Sequence, residues 1–247
     1  MSGHSKWHTI KHKKGIADAK RGQTFTKLIK EISISARHGG GDPETNPHLR
    51  TVILKAKAAN MPKDNIERAI KKGTGELEGV SYEEILYEAY GPGGVAILID
   101  ILTDNKNRAA AEIRNLLNKG GGNLGGAGSV AYLFKRKGLI NYDASQYKED
   151  DILAVAIDAG AEDVSNDGDL IEVTTSPEDF ENVVKALEAK GFQHTMAEIV
   201  RVADTNVTLD NDKTEKALRL VEHLEDHEDV QSVATNLEIP AGFVMSE

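Results

Sequence analysis

The sequence predicts an α+β protein with an N-terminal three-helix domain and two ferredoxin-like α+β domains, one inserted in the other. Two observations lead to this fold class. Apolar residues recur at helical spacing from Phe25 as far as Gly73, and the pattern then changes to that of short strands and helices. Within 133–203 the predicted order of elements is βαββαβ, which is the order of the ferredoxin-like fold.

Residues 1–75 are predicted to contain a basic arm followed by the helical domain. Its first helix starts near Phe25 and stops at the glycine run 39–41. Asn46 and Pro47 suit the N-cap and first position of the second helix, and Gly73 suits the end of the third. The three apolar faces comprise Phe25, Leu28, Ile29, Ile32, Ala36, Leu49, Val52, Ile53, Ala56, Ile66, Ala69 and Ile70.

Past a linker at Gly73–Gly75 the predicted elements form ββαβ, with a glycine-rich loop, 120–128, before a strand at Val130–Phe134. These elements leave one sheet face without enough helix to cover it. The chain near its end offers a helix at Asp212–His223 and a strand at Val230–Thr235. We therefore predict a discontinuous α+β domain, 76–132 plus 204–240, with the βαββαβ domain 133–203 inserted into it.

Composition indicates a soluble, cytoplasmic protein. None of the 247 residues is cysteine, which excludes disulfides, thiol catalysis and thiolate metal sites. No apolar run approaches the roughly 18 residues needed to span a bilayer. The basic start is not followed by an apolar stretch, so we expect no secretory signal.

Charge is divided unevenly along the chain. Residues 1–75 contain 16 Lys and Arg against 6 Asp and Glu, whereas residues 76–247 contain 14 against 34. Such asymmetry indicates that the first segment meets a polyanion and that the second does not.

No motif indicates catalysis, a cofactor or a metal. Gly120–Gly125 matches G-x-G-x-x-G, but a helix precedes it and a strand follows, the reverse of a dinucleotide site. Two interpretations of this loop remain, a flexible connection or a bare backbone that approaches phosphate. His4, His8 and His12, like the pair His223 and His227, recur every four residues, yet surface histidines explain them better than zinc ligands.

The dense basic run at the start supplies the candidate nucleic-acid-binding residues. Trp7 lies inside this run and has two interpretations, stacking on an exposed base or anchoring the arm on the fold. Lysine and arginine at this density favour phosphate binding over a merely solvated surface. The candidates are Lys6, Trp7, Lys11, Lys13, Lys14, Lys20, Arg21, Lys27 and Lys30.

The same stretch resembles a known family. Gly3–Trp7, Ile10–Lys14, Asp18–Gly22, Tyr90–Gly94 and Thr103–Arg108 are similar to signatures of the YebC/PmpR family, and the resemblance extends over nearly the whole chain. It implies one helical and two α+β domains, and it adds Arg108 to the candidate site. The family is described as transcriptional regulators that bind DNA. It includes the mitochondrial translational activator of cytochrome c oxidase, and bacterial members are linked to ribosomes and to relief of stalling.

We therefore expect a non-enzymatic, nucleic-acid-binding regulator of gene expression, specifically a DNA-binding transcriptional regulator that contacts polymerase or itself through its acidic part. One alternative is a ribosome-associated translation factor whose flexible basic arm orders on ribosomal RNA. Alternatives of another class are an enzyme without a local signature and an acidic scaffold for protein interactions.

Overall fold

The computed structural model describes residues 3–13, 19–240 and 242–245 and confirms the α+β class. The chain divides into two compact units. The insert unit combines Val130–Thr214 with the described residues up to Lys13 and from Ala234 onward. The helical unit combines the described residues from 19 to Ser129 with Glu215–Val233. Within the described residues, no helix is both long and apolar enough to cross a membrane.

Three helices form the bundle of the helical unit: α2 (Ala19–Gly39), α3 (Pro47–Ala58) and α4 (Lys63–Thr74). Asn46 caps α3, because its side-chain oxygen accepts from the Leu49 N–H at 3.1 Å, as the sequence predicted. Helix α2 begins six residues before Phe25, in a stretch without an apolar period. The buried core comprises Leu28, Ile32, Ala36, Leu49, Val52, Ile53, Ala56, Met61, Ile66 and Ala69.

Gly73 allows α2 and α4 to pack closely. A Cβ atom at Gly73 would lie 2.9 Å from the Ala36 Cβ and closer still to the Ser33 carbonyl oxygen. We expect Gly73→Ala to lower the free energy of unfolding by about 1–3 kcal/mol, because the helices would have to separate. Gly22→Ala is the matched control, because open space surrounds its Cβ position and alanine is the better helix former. Urea denaturation that shifts both variants the same way would contradict this explanation.

A four-stranded sheet in the order β3-β1-β2-β9 completes the helical unit. Its strands are β1 (Glu83–Tyr90), β2 (Ala96–Thr103), β3 (Asn123–Leu124) and β9 (Val230–Thr235). The accompanying helices are α5 (Lys106–Lys119) and α8 (Asn211–Glu225). The late strand β9 thus lies beside β2 of the early hairpin, and Glu215–Val233 belongs to the same compact unit.

One strand was predicted in the wrong place. Ala131–Leu133 is a 3₁₀ turn, and the next strand begins only at Phe134. The position beside β1 is taken instead by Asn123–Leu124, from within the glycine-rich loop. A short apolar run such as 130–134 does not by itself specify a strand, because an apolar turn has the same composition.

The insert unit contains the ferredoxin-like arrangement. Its sheet has the order β5-β6-β4-β7, with helices α6 (Glu149–Asp158) and α7 (Phe180–Ala189). The strands are β4 (Phe134–Asp143), β5 (Asp163–Asn166), β6 (Leu170–Thr175) and β7 (Met196–Ala203). All these elements come from 133–203, whereas the exact domain limits, 76–132 plus 204–240 and 133–203, stay a prediction.

Three further elements belong to the insert unit. The strands β8 (Val207–Thr208) and β10 (Leu237–Glu238) pair in parallel. Helix α1 (Gly3–Lys13) forms within the stretch where the sequence showed no apolar period. The flexible arm expected for the ribosomal alternative is therefore wrong for residues 3–13, which are helical.

Candidate nucleic-acid interface

The buried Ser5 holds helix α1 on the insert sheet. Ser5 donates to Asn141 Oδ1 at 3.2 Å and also contacts the Glu172 carboxylate. Asn141 and Glu172 are paired positions of β4 and β6, and their neighbours along each strand face α6 and α7. Since side chains alternate between the faces of a sheet, α1 lies on the face opposite those helices.

Trp7 is a buried residue of α1. Only 6% of its surface is exposed, so its ring is unavailable for stacking on a base in this structure. Of the two interpretations that the sequence left open, burial favours the anchor. The ammonium of Lys11 lies 6.0 Å from the centroid of the Trp7 ring, at the outer limit of a cation–π contact.

The other residues of the basic arm fall into two groups. Lys6 and Lys11 are half-buried on α1. The predicted contacts Lys13, Lys14, Lys20 and Arg21 have side chains outside the described residues, so the structure does not test them.

Lys27 and Lys30, also predicted to bind nucleic acid, point into the protein. The Lys27 ammonium donates to the Glu225 carbonyl oxygen at 2.5 Å, at the C-terminus of α8, where carbonyls lack helical partners. Lys30 has 6% of its surface exposed and forms an ion pair with Asp229. Its charge is thereby already compensated inside the helical unit.

Asp229 is the centre of this buried network. Besides Lys30, its carboxylate accepts from Thr103 Oγ1 at 2.9 Å and from Arg108 Nη2 at 3.2 Å. Burial raises the pKa of Asp229, but the hydrogen bonds from Lys30, Thr103 and Arg108, together with the charge of Lys30, outweigh it and hold the pKa below its ordinary value.

The Thr103–Arg108 segment builds the start of α5. Asn105 caps the helix by accepting from the Arg108 N–H at 3.1 Å. The Arg108 side chain bridges Asp229 and Asp104, and these two hydrogen bonds raise the pKa of its guanidinium. Arg108 is partly exposed, but its Nη2 contacts two carboxylates that compensate its charge, so its observed role is to join α5 to the network.

His227 and Glu112 extend this network to the surface. His227 Nδ1 accepts from the Asp229 N–H at 3.1 Å, so Nε2 carries the proton donated to Glu112 at 2.8 Å. Ligand atoms of Glu112, His227 and Asp229 lie within 4.8 Å of one another. All three already have hydrogen-bond partners. Lys30 and Arg108 also contact the Asp229 carboxylate, and their positive charges disfavour a metal cation at this cluster.

The glycine-rich loop contacts a carboxylate of the protein itself. The Gly128 N–H donates to Glu88 Oε1 at 2.5 Å, and the Gly125 N–H donates to the Glu88 carbonyl oxygen at 2.8 Å. A Cβ at Gly122 would lie 3.3 Å from the Gly91 Cα, so this position needs glycine for close packing. The backbone of this loop therefore binds the Glu88 carboxylate of the protein itself and packs on the turn between β1 and β2.

The exposed basic surface lies on α3 and α4. Lys55, Lys57, Arg68, Lys71 and Lys72 are exposed, and among the described residues their side chains form neither ion pairs nor hydrogen bonds. Lys63 is exposed too but pairs with Glu67 at 3.4 Å. None of these cations was among the candidates predicted from the sequence, which came from the basic run at the start of the chain and from the Thr103–Arg108 segment.

Comparison with known proteins agrees with this architecture. Residues 5–76 match the TACO1/YebC protein N-terminal domain, and residues 82–237 match the TACO1/YebC second and third domain. The chain belongs to the TACO1/YebC family. The family resemblance seen in the sequence is thereby confirmed.

Relatives within the TACO1/YebC family extend over the full chain. A "Probable transcriptional regulatory protein" of Treponema denticola is 63% identical over 247 residues, 100% of both chains. One of the same name from Treponema pallidum (strain Nichols) is 60% identical and covers 99% of this chain and 100% of its own. A conserved hypothetical protein from Aquifex aeolicus has a crystal structure with TM-score 0.82 and 46% identity, covering 93% of this chain and 95% of its own. The names of the two treponemal relatives describe regulators rather than enzymes.

Proposed function

We propose that this protein is a non-enzymatic, DNA-binding regulator of transcription that acts in the cytoplasm. The observation that carries the proposal is the set of uncompensated cations on α3 and α4: Lys55, Lys57, Arg68, Lys71 and Lys72. Cations without protein partners gain most from phosphate, because binding releases counterions from the nucleic acid and breaks no internal ion pair. The names of the relatives support transcription as the process.

The proposed surface differs from the one that the sequence favoured. Lys6, Lys11, Lys13, Lys14, Lys20 and Arg21 stay in the proposal because of their charge. Trp7, Lys27, Lys30 and Arg108 are instead assigned to holding the fold, since each is buried or engaged with other protein groups. Residues 76–247 have 14 basic against 34 acidic residues, a net charge of −20, and are repelled by phosphate. In this proposal they contact protein partners such as polymerase.

A second candidate is binding to ribosomal RNA as a translation factor that relieves stalling. It is favoured by the residue types on α3 and α4, where lysine predominates among the uncompensated cations. A lysine ammonium is a point charge that contacts phosphate without reading a base. Structured RNA is recognised mainly by its shape and backbone, so such a surface also suits it.

Salt-dependent binding tests the proposal. The full chain is titrated by fluorescence anisotropy against duplex DNA and against a ribosomal RNA fragment at several salt concentrations. We expect a linear fall of log affinity with log salt, with a slope of about 0.9 for each phosphate neutralised on the DNA. Stronger, steeper binding to the RNA would select the second candidate, and salt-independent or undetectable binding to both would reject nucleic-acid binding.

A further inference from the structure

Helix α3 exposes a strip of apolar groups. Pro47, Thr51, Leu54 and Ala58 are exposed, and Leu54 keeps 60% of its surface accessible. Their spacing of three or four residues places them on one side of the helix. The opposite side is buried in the three-helix core. An exposed leucine is ordinary by itself, but here it is the centre of a continuous strip.

Cations border this strip on both sides. By helical spacing, Arg50 and Lys57 flank Leu54 on one side and Lys55 lies on the other, all three exposed. The Thr51 hydroxyl donates to the Pro47 carbonyl oxygen at 3.0 Å, which leaves its methyl group for contact. Methyl groups between cations complement a groove whose floor is partly apolar and whose walls are anionic.

The major groove of B-form DNA has these properties. It is wide enough for an α-helix, its edges are phosphates, and thymine presents its C5-methyl group on its floor. The major groove of A-form RNA is too deep and narrow for side chains to read, and uracil lacks the methyl group. The chemistry of the strip therefore distinguishes the two nucleic acids.

We propose that α3 lies in the major groove of duplex DNA, with Leu54 against the C5-methyl group of thymine and Arg50, Lys55 and Lys57 at the phosphates. This inference rests on the proposed function and specifies its helix, its groove and the base it reads. It implies that the protein prefers thymine to uracil in otherwise identical duplexes.

The test compares a short alternating A·T duplex with the same duplex carrying deoxyuridine in place of thymidine. We expect the full chain to bind the thymine duplex more tightly, by about fourfold for each methyl group buried. Leu54→Ala should bind both duplexes equally, whereas Leu54→Met should keep most of the preference. Because Leu54 is exposed, both variants should melt at the wild-type temperature.

Leu153→Ala is the matched control. Leu153 is an exposed leucine, 37% accessible, beside Asp150 and Asp151 on α6, and its loss should leave the thymine preference intact. Equal binding of the two duplexes by the wild type, or an unchanged preference in Leu54→Ala, would overturn the inference. Tighter binding to an RNA duplex of the same sequence would overturn it while leaving polyanion binding intact. Failure to bind any duplex would reject the proposed function with it.

Discussion

Asp229→Ala is expected to lower the free energy of unfolding by about 3–5 kcal/mol, because it leaves the buried Lys30 ammonium without its counterion. The same change removes one of the two acceptors for the Thr103 hydroxyl and one of the two for Arg108. Asp229 joins α2, the end of β2 and the start of α5, so the loss reaches three elements of the helical unit. Denaturation in urea, followed by circular dichroism, measures the effect.

Asp104→Ala is the control for this prediction. Asp104 also contacts Arg108, but that pair is exposed to solvent, and such pairs contribute little to stability. The double change Lys30→Met with Asp229→Asn should be more stable than Asp229→Ala, because it leaves no buried ammonium without a counterion. If Asp104→Ala and Asp229→Ala lowered the free energy of unfolding equally, burial of the Lys30–Asp229 pair would not explain the effect of Asp229→Ala.

The same network predicts how stability depends on pH. The pKa of Asp229 is lower in the folded protein than its ordinary value, so ionisation of this carboxyl favours the folded state. Its contribution is complete above the ordinary aspartate pKa of about 3.9 and is lost as the pH falls through the lower, folded value. Asp229→Asn should flatten this part of the stability profile. An unchanged acid profile in that variant would contradict the assignment.

The combined change Lys55→Ala, Lys57→Ala, Arg68→Ala and Lys71→Ala is expected to weaken DNA binding by roughly 10- to 100-fold at low salt and to reduce the salt slope by about 3 to 4. Each of these side chains is exposed and without a protein partner among the described residues, so its removal costs little stability. Anisotropy titrations across a salt series give both quantities.

A second set of four lysines controls for net charge. Lys148, Lys185, Lys190 and Lys213 are exposed in the acidic part of the chain, and changing them to alanine alters the net charge by the same amount. This control variant should keep the wild-type slope. If both sets reduce the slope equally, the protein responds to total charge and α3 and α4 form no specific interface.

The helices and strands were largely predictable because their signals are local. Apolar spacing, the Asn46 cap and the hairpin turns each depend on residues a few positions apart. Helix α1 was not predicted because the segment has no apolar period of its own. Ser5 contacts a sheet far along the chain, and Trp7 is buried, neither of which the local sequence shows. Tertiary packing thus stabilises a helix that the sequence of the segment does not predict.

The uneven charge and the order of elements can be read from the chain alone, because they depend on composition and on spacing between near neighbours. Which cations remain available was decided only by the tertiary structure. Lys30 and Lys55 look alike in the sequence, yet Lys30 meets Asp229 from the opposite end of the chain while Lys55 faces solvent. Burial and ion pairing depend on residues that folding brings together from distant parts of the chain. A buried lysine whose charge is already compensated by a carboxylate is not available to bind phosphate.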